Sequence, residues 1–323
     1  MRRIAVINQK GGVGKTTTVA NLGTALAMSG RRVLLADLDP QAHLTLSFGI
    51  DPAASEISIY EVLTESGQLR RAMRAVRDNL WLVPSHTDLV AAEPQLINVV
   101  GREVILRDAI RGLDDDFDFL LIDGPPSLGV LTLNALAAAE EVIIPLQPHF
   151  LALQGLAKLL ETVSLVQARI NARLRVEGVV LCLHESGTRL AAEVIDDVRH
   201  FLEGVRGRDV PWSQARLFET VIRRNIKLAE CPGQGQTIFD YAPRSNGARD
   251  YAALAAEMLG QTRPAAATDR AETSAGDQPP ASEARQASPA PIEETVAVSP
   301  ESAAPVQEPA AIPSEHGSIA NLA

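Results

Sequence analysis

The sequence predicts an α/β fold in which a mostly parallel, twisted sheet carries helices on both faces. Two observations carry that expectation. Short runs rich in Val, Ile and Leu recur at 3–8, 32–36, 80–83, 119–122, 141–145 and 178–183. They are continuously apolar, the signature of strands buried on both faces. Helical patterns fill the gaps at 16–29, 104–111, 131–139, 153–170, 190–202 and 249–259. Strands separated by helices pair in parallel, because a crossover of that length returns the chain to the sheet in the same direction.

Composition bounds the rest. The chain has 323 residues, 46% hydrophobic and 22% charged, which is enough for one large core. No apolar run reaches the ~18 residues that a membrane-spanning helix needs. The N-terminus moves straight into the first strand without a signal-peptide h-region, so a cytoplasmic protein is expected. Cys182 and Cys231 lie far apart and outside any C-x-x-C, so two reduced thiols are expected rather than a disulfide or a zinc site. The six histidines are scattered, with no H-x-x-x-H or E-x-x-H pair, and Ser127 lies outside any G-x-S-x-G. Composition shifts near residue 261. Residues 261–323 hold nine of the 20 prolines and no aromatic, and their three arginines face nine acidic residues. Such a segment cannot bury enough apolar surface to offset the entropy of ordering, so it reads as a disordered tail. The domain expected to fold is 1–260, and it carries −4 of the chain's formal −10.

The first strand runs into Asn8-Gln9-Lys10-Gly11-Gly12-Val13-Gly14-Lys15-Thr16-Thr17, which opens the first helix. Gly14, Lys15 and Thr16 fit the end of G-x-x-x-x-G-K-[ST], although Gln9 stands where the first glycine belongs. The physical logic survives. Glycines let successive backbone N–H groups converge on phosphate oxygens, and the helix N-terminus adds its positive end. Lys15 is expected to reach the β/γ-phosphates, and the Thr16 hydroxyl to hold Mg²⁺. The chain has only four lysines against 26 arginines, and two of the four sit in this loop.

Two acidic motifs follow later strands: Asp37-Leu38-Asp39-Pro40-Gln41 and Asp123-Gly124-Pro125-Pro126-Ser127. Ligands of open α/β sheets bind at the carboxyl ends of the strands, so both motifs can reach the phosphates. Asp123 fits a Walker B carboxylate that holds Mg²⁺, and Asp39 fits the group that orients the attacking water. Asp37 reads better as a strand-end carboxylate capping the next helix.

K-G-G-x-G-K-T-T is the deviant Walker A motif, and with D-x-D-P-Q and D-x-P-P the chain resembles the ParA/MinD superfamily of dimeric P-loop ATPases. Gly124 departs from the threonine that the family usually carries, which suggests a looser turn. The resemblance runs over about residues 3–259, through Leu133-Asn134-Ala135-Leu136, 143–147, 151–160, Thr188-Arg189-Leu190, the stretch 221–232 and Asp240-Tyr241. It implies ATP and Mg²⁺ as cofactors and a homodimer in the ATP state. Lys10 would then act in trans on the partner's nucleotide. Lys10, Lys15 and Asp39 would be catalytic. The phosphates would lie on Lys10, Gly11, Gly12, Val13, Gly14, Lys15, Thr16 and Thr17, and the base on Asn225 and Pro232. The metal would lie on Thr16 and Asp123.

The resemblance also implies non-specific double-stranded DNA as a partner. Residues 206–227 carry six basic and two acidic side chains, and local rather than net charge sets phosphate affinity. Arg189, Arg223 and Arg224 are the positions carried over; Lys227 and Arg249 are weaker ones. No helix-turn-helix precedes the P-loop, so sequence-specific binding is not expected. The function this implies is chromosome or plasmid segregation with a ParB-like, ATPase-stimulating partner, in a cytoplasmic, nucleoid-associated protein without membrane binding. Alternatives are positioning of a protein cargo and a MinD-like membrane-associated ATPase. The latter expects a basic amphipathic C-terminal helix, which residues 314–323 do not show. A metabolic ATPase of the superfamily would lack D-x-D-P-Q.

Overall fold

The computed structural model describes residues 1–261 except Glu56, Ser66, Phe150, Leu151, Ser186 and Thr188. The tail expected from 261 onward therefore lies outside the described residues apart from Gln261, as does Thr188. The chain divides into two units, Met1–Ala267 and Thr268–Ala323, and only the first is described.

Strands β1 (Arg2–Val6), β2 (Val33–Asp37), β3 (Arg74–Arg77), β4 (Leu80–Val83), β5 (Phe119–Asp123), β6 (Glu141–Leu146), β7 (Arg175–Leu181) and β8 (Arg216–Leu217) form one sheet. Their order is β3-β4-β2-β5-β1-β6-β7-β8. Every neighbouring pair is parallel except β3–β4. The six expected strands are all present. β7 starts three residues earlier than its apolar run, because Arg175 and Glu177 alternate with buried Val176 and pair with Glu141 and Arg216. β3 and β8 were not expected. β3 is Arg-Ala-Val-Arg at the sheet edge, and β8 is only two residues long, so neither carries the apolar signal of a central strand.

The strand period of two sorts the core into two layers. Ala5, Leu34, Ala36, Leu120 and Ile122 pack on one face, with the helices Val130–Ala138, Ala152–Arg169 and Arg189–Gly204. Ile4, Val6, Val33, Leu35, Phe119 and Leu121 pack on the other, against the helices Lys15–Met28 and Asn246–Met258. The helix Lys15–Met28 lies close to the sheet because residue 23 is glycine: a Cβ there would sit 2.6 Å from the Leu35 Cδ2. At the opposite end from the strand carboxyl termini, the buried carboxylate of Glu141 joins Arg2 at 2.6 Å and Arg175 at 2.8 Å, tying β1, β6 and β7 together.

The strand order places β1 and β5 at the centre, so the loops after them are mounted on strands paired on both sides. Leu121→Ala, at a fully buried position in β5, is expected to lower unfolding stability by about 2–5 kcal/mol. Denaturant titration checks this as a fall in midpoint at unchanged m-value.

Candidate nucleotide site

The site begins with backbone conformation. Gly12 and Gly14 have φ of 74° and 95°, a left-handed region that side-chain-bearing residues rarely adopt. Gly14 is the N-cap of the helix Lys15–Met28, and neither a capping side chain nor an acidic residue occupies the first turn. The first N–H groups of that helix thus keep their positive end for an external anion. Asn8 braces the loop, its amide donating to the Pro145 carbonyl at 2.7 Å and its Oδ1 accepting from the Lys10 N–H at 3.0 Å.

A cavity of about 680 Å³ opens over this loop. Gly11, Gly12, Gly14, Lys15, Thr16, Thr17, Asp39, Asn225 and Pro232 all line it, so the structure brings nine of the expected site residues together. Three others lie outside its lining. Val13 is buried beneath the loop. Asp123 is fully buried at the end of β5. Lys10 is exposed, and its Nζ lies 2.7 Å from the His149 Nε2. Burial and the Lys10 charge both push the His149 pKa down, which favours the neutral, accepting imidazole. The cavity also takes in Gln41, Leu183 and Tyr251, of which only Gln41 belongs to a motif, as the last residue of D-x-D-P-Q.

Lys15 is buried, and its Nζ donates to the Lys10 carbonyl at 3.2 Å. Burial lowers its pKa, and the Asp123 and Asp39 carboxylates oppose that shift. Asp37 and Asp123 are paired neighbours at the carboxyl ends of β2 and β5, and both are fully buried. Burial raises the Asp37 pKa to about 7, against hydrogen bonds from Thr45. Its Oδ2 accepts from the Thr45 N–H at 2.8 Å and the Thr45 hydroxyl at 2.7 Å. The capping role expected of Asp37 is therefore present, reached across eight residues to the helix His43–Leu46.

Asp123 differs. Burial pushes its pKa well up and Asp37 adds to the shift, with Thr16 and Lys15 countering it. Neither carboxylate oxygen has a hydrogen-bond partner among the described residues. A desolvated carboxylate with open lone pairs next to a hydroxyl suits a hard cation that takes oxygen ligands. Asp123 and Thr16 fit Mg²⁺ on that ground. At Gly124 a Cβ would run into the Ile7 Cδ1, so the side chain of the residue that follows β1 occupies the space beside this turn.

The three arginines expected from the resemblance to face DNA are each ion-paired within the chain. Arg223 is clamped to Asp250 through its N–H at 3.0 Å, its Nε at 3.0 Å and its Nη2 at 2.5 Å. Arg224 meets Glu185 at 2.9 Å and Arg189 meets Glu193 at 2.9 Å, both in exposed pairs. None of the three lines the cavity. Sequence counting missed these acidic partners because they come from other elements or from the next helical turn.

A family model described as an AAA domain matches residues 1–176. The chain is 43% identical over 256 residues to the sporulation initiation inhibitor protein Soj of Bacillus subtilis (strain 168), covering 79% of this chain and 97% of that one. It is 40% identical over 264 residues to the chromosome partitioning protein ParA of Myxococcus xanthus, covering 81% and 89%. Among solved structures it is similar to cobyrinic acid a,c-diamide synthase from Mycobacterium smegmatis with bound ATP analog and magnesium. That likeness has a TM-score of 0.67 and 40% identity, and covers 80% of this chain and 94% of the other. With its glycine loop, buried lysine and paired strand-end aspartates, this chain belongs to the Soj/ParA family of chromosome-partitioning ATPases.

Proposed function

We propose that this chain binds ATP with Mg²⁺ in the cavity over the glycine loop, hydrolyses it, and uses that cycle to segregate a chromosome or plasmid. The observation that carries the reading is the pair formed by an uncapped helix N-terminus and a buried Asp123 with two open carboxylate oxygens. The loop amides and Lys15 hold the phosphates, and Thr16 and Asp123 hold the metal, which neutralises phosphate charge. Asp39 lines the cavity and orients water for attack. Asn225 caps the helix Ile226–Glu230 with its Oδ1 on the Lys227 N–H at 2.9 Å, which fixes its amide at the base end that Pro232 also lines.

The rest of the cycle goes further. ATP binding forms a homodimer in which Lys10 serves the partner's nucleotide. The dimer binds double-stranded DNA without sequence preference through Arg189 and Arg224, with Arg223 beside them. A ParB-like partner stimulates hydrolysis and releases it. This places the protein in the cytoplasm on the nucleoid. No helix among the described residues is long and apolar enough to cross a membrane. The likeness to the diamide synthase favours a second reading, ATP-dependent amide formation. ATP turnover that requires cobyrinic acid and an amide donor would support that reading, and turnover raised by DNA together with a ParB-like protein would support segregation.

Lys15→Ala is expected to abolish ATP binding in a calorimetric titration, because it removes the buried ammonium that faces the phosphates. Asp39→Ala is expected to bind ATP and dimerise, yet hydrolyse it at least about a hundredfold more slowly, and so remain on DNA. Phosphate release and co-sedimentation with DNA measure both. Charge reversal at Arg189 and Arg224 is expected to cut DNA affinity and flatten its salt dependence by roughly 0.9 in log–log slope for each phosphate left unneutralised. Fluorescence anisotropy across a salt series reads that slope.

A further inference from the structure

Asp39 does not sit on a regular element. It lies in the loop between β2 and the helix His43–Leu46, and the chain must hold it there by other means. Its N–H donates to the Asp37 Oδ1 at 3.2 Å. Its carbonyl accepts from the Ala42 N–H at 2.8 Å and from the Ser85 hydroxyl at 2.9 Å. Its own Oδ1 accepts from the Gln41 N–H at 2.9 Å. Ser85 follows β4, which is β2's other neighbour in the sheet. The Ser85 N–H donates to the Thr45 Oγ1 at 2.9 Å, and that hydroxyl donates to the Asp37 Oδ2. Asp37, Thr45 and Ser85 are all fully buried.

These bonds form a closed circuit, from Asp37 through Thr45 and Ser85 to the Asp39 carbonyl and back through the Asp39 N–H. Buried hydroxyls usually pair with the nearest backbone of their own element. Here both hydroxyls leave their own segments: that of Ser85 donates to the Asp39 carbonyl, in the loop that carries the hydrolytic carboxylate, and that of Thr45 donates to the Asp37 carboxylate at the end of β2, which in turn accepts from the Asp39 N–H. We propose that Thr45 and Ser85 are positioning residues for Asp39, setting where its carboxylate stands over the glycine loop. The proposal rests on the reading of Asp39 as the group that orients water. Neither hydroxyl lines the cavity; Ser85 holds the Asp39 carbonyl directly, and Thr45 acts on the Asp39 N–H through the Asp37 carboxylate. The circuit ties the loop to two adjacent strands at once, so a shift of β4 relative to β2 would move Asp39.

The test is steady-state ATP hydrolysis by the full chain, with ATP-analogue affinity and thermal unfolding measured on the same samples. Ser85→Ala removes the donor to the Asp39 carbonyl. It is expected to lower kcat by about tenfold, the size set by one missing positioning hydrogen bond, with KM and analogue affinity unchanged. Thr45→Val is expected to do the same, and Thr45→Ser, which keeps the hydroxyl, to restore kcat. In an Asp39→Ala background, Ser85→Ala is expected to leave the residual rate where it was, since there is no carboxylate left to position. Parental kcat in Ser85→Ala would overturn the proposal, as would an equal loss with and without Asp39. If Ser85→Ala does not fold, the Thr45→Val and Thr45→Ser pair decides by the same criteria. Parental hydrolysis by Asp39→Ala would instead overturn the role given to Asp39 itself.

Discussion

Two buried carboxylates side by side at the ends of β2 and β5 are the constraint on which the site depends. Asp37 and Asp123 face each other across a parallel pair, and each is fully excluded from solvent. Like charges so placed cannot both be left to themselves. The fold treats them differently. Asp37 has its donors supplied by the protein, from Thr45 and the Asp39 N–H. Asp123 has two open oxygens among the described residues, beside Lys15 and Thr16 under the glycine loop. One carboxylate thus organises the protein, and the other has both oxygens left open among the described residues.

That division is only useful on a rigid mount, and the sheet provides it. β1 and β5 are the central pair, flanked by β6 and β2 and covered by helices on both faces. The alternation of Ile4 and Val6 with Ala5 sends consecutive side chains into opposite cores, so neither strand can slip by one residue without turning its whole apolar set over. Gly23 and Gly124 remove side chains where Leu35 and Ile7 need the space. The close packing that places the phosphate loop over Asp123 is therefore written in residues that carry no chemistry.

The central strands and the loop were legible because their signals are local. A continuous apolar run identifies β5, and the spacing of Gly14, Lys15 and Thr16 after a strand identifies the loop. What was not legible depends on partners remote in sequence. β3 reads as charged because it lies at the sheet edge, where none of its four residues is buried. The role of Ser85 needs the pairing of β4 with β2 before it can be seen. The packing of Ile7 beside Gly124, 117 residues apart by numbering, needs the pairing of β1 with β5 before it can be seen. Leu183 and Tyr251 reach the cavity from just beyond β7 and from the helix Asn246–Met258, and no spacing rule links either to the loop.

The same distinction sharpens the charge argument. Along the chain, residues 206–227 look strongly basic. In the fold, Arg216 meets Glu177 and Glu257, Arg223 meets Asp250, Arg224 meets Glu185, and Lys227 meets Glu230. These pairs are not equivalent. Exposed pairs such as Arg224–Glu185 contribute at most about 1 kcal/mol, so a phosphate can replace the carboxylate at small cost. Arg223 is held by several bonds to a buried Asp250 on the helix Asn246–Met258, and taking it away would leave that carboxylate unpaired. A DNA phosphate would therefore compete on good terms for Arg189 and Arg224 and on poor terms for Arg223. The charge of Arg223 is balanced by Asp250 and its geometry is committed to the fold, so the arginines divide, in space, into those free to exchange partners and one that is not.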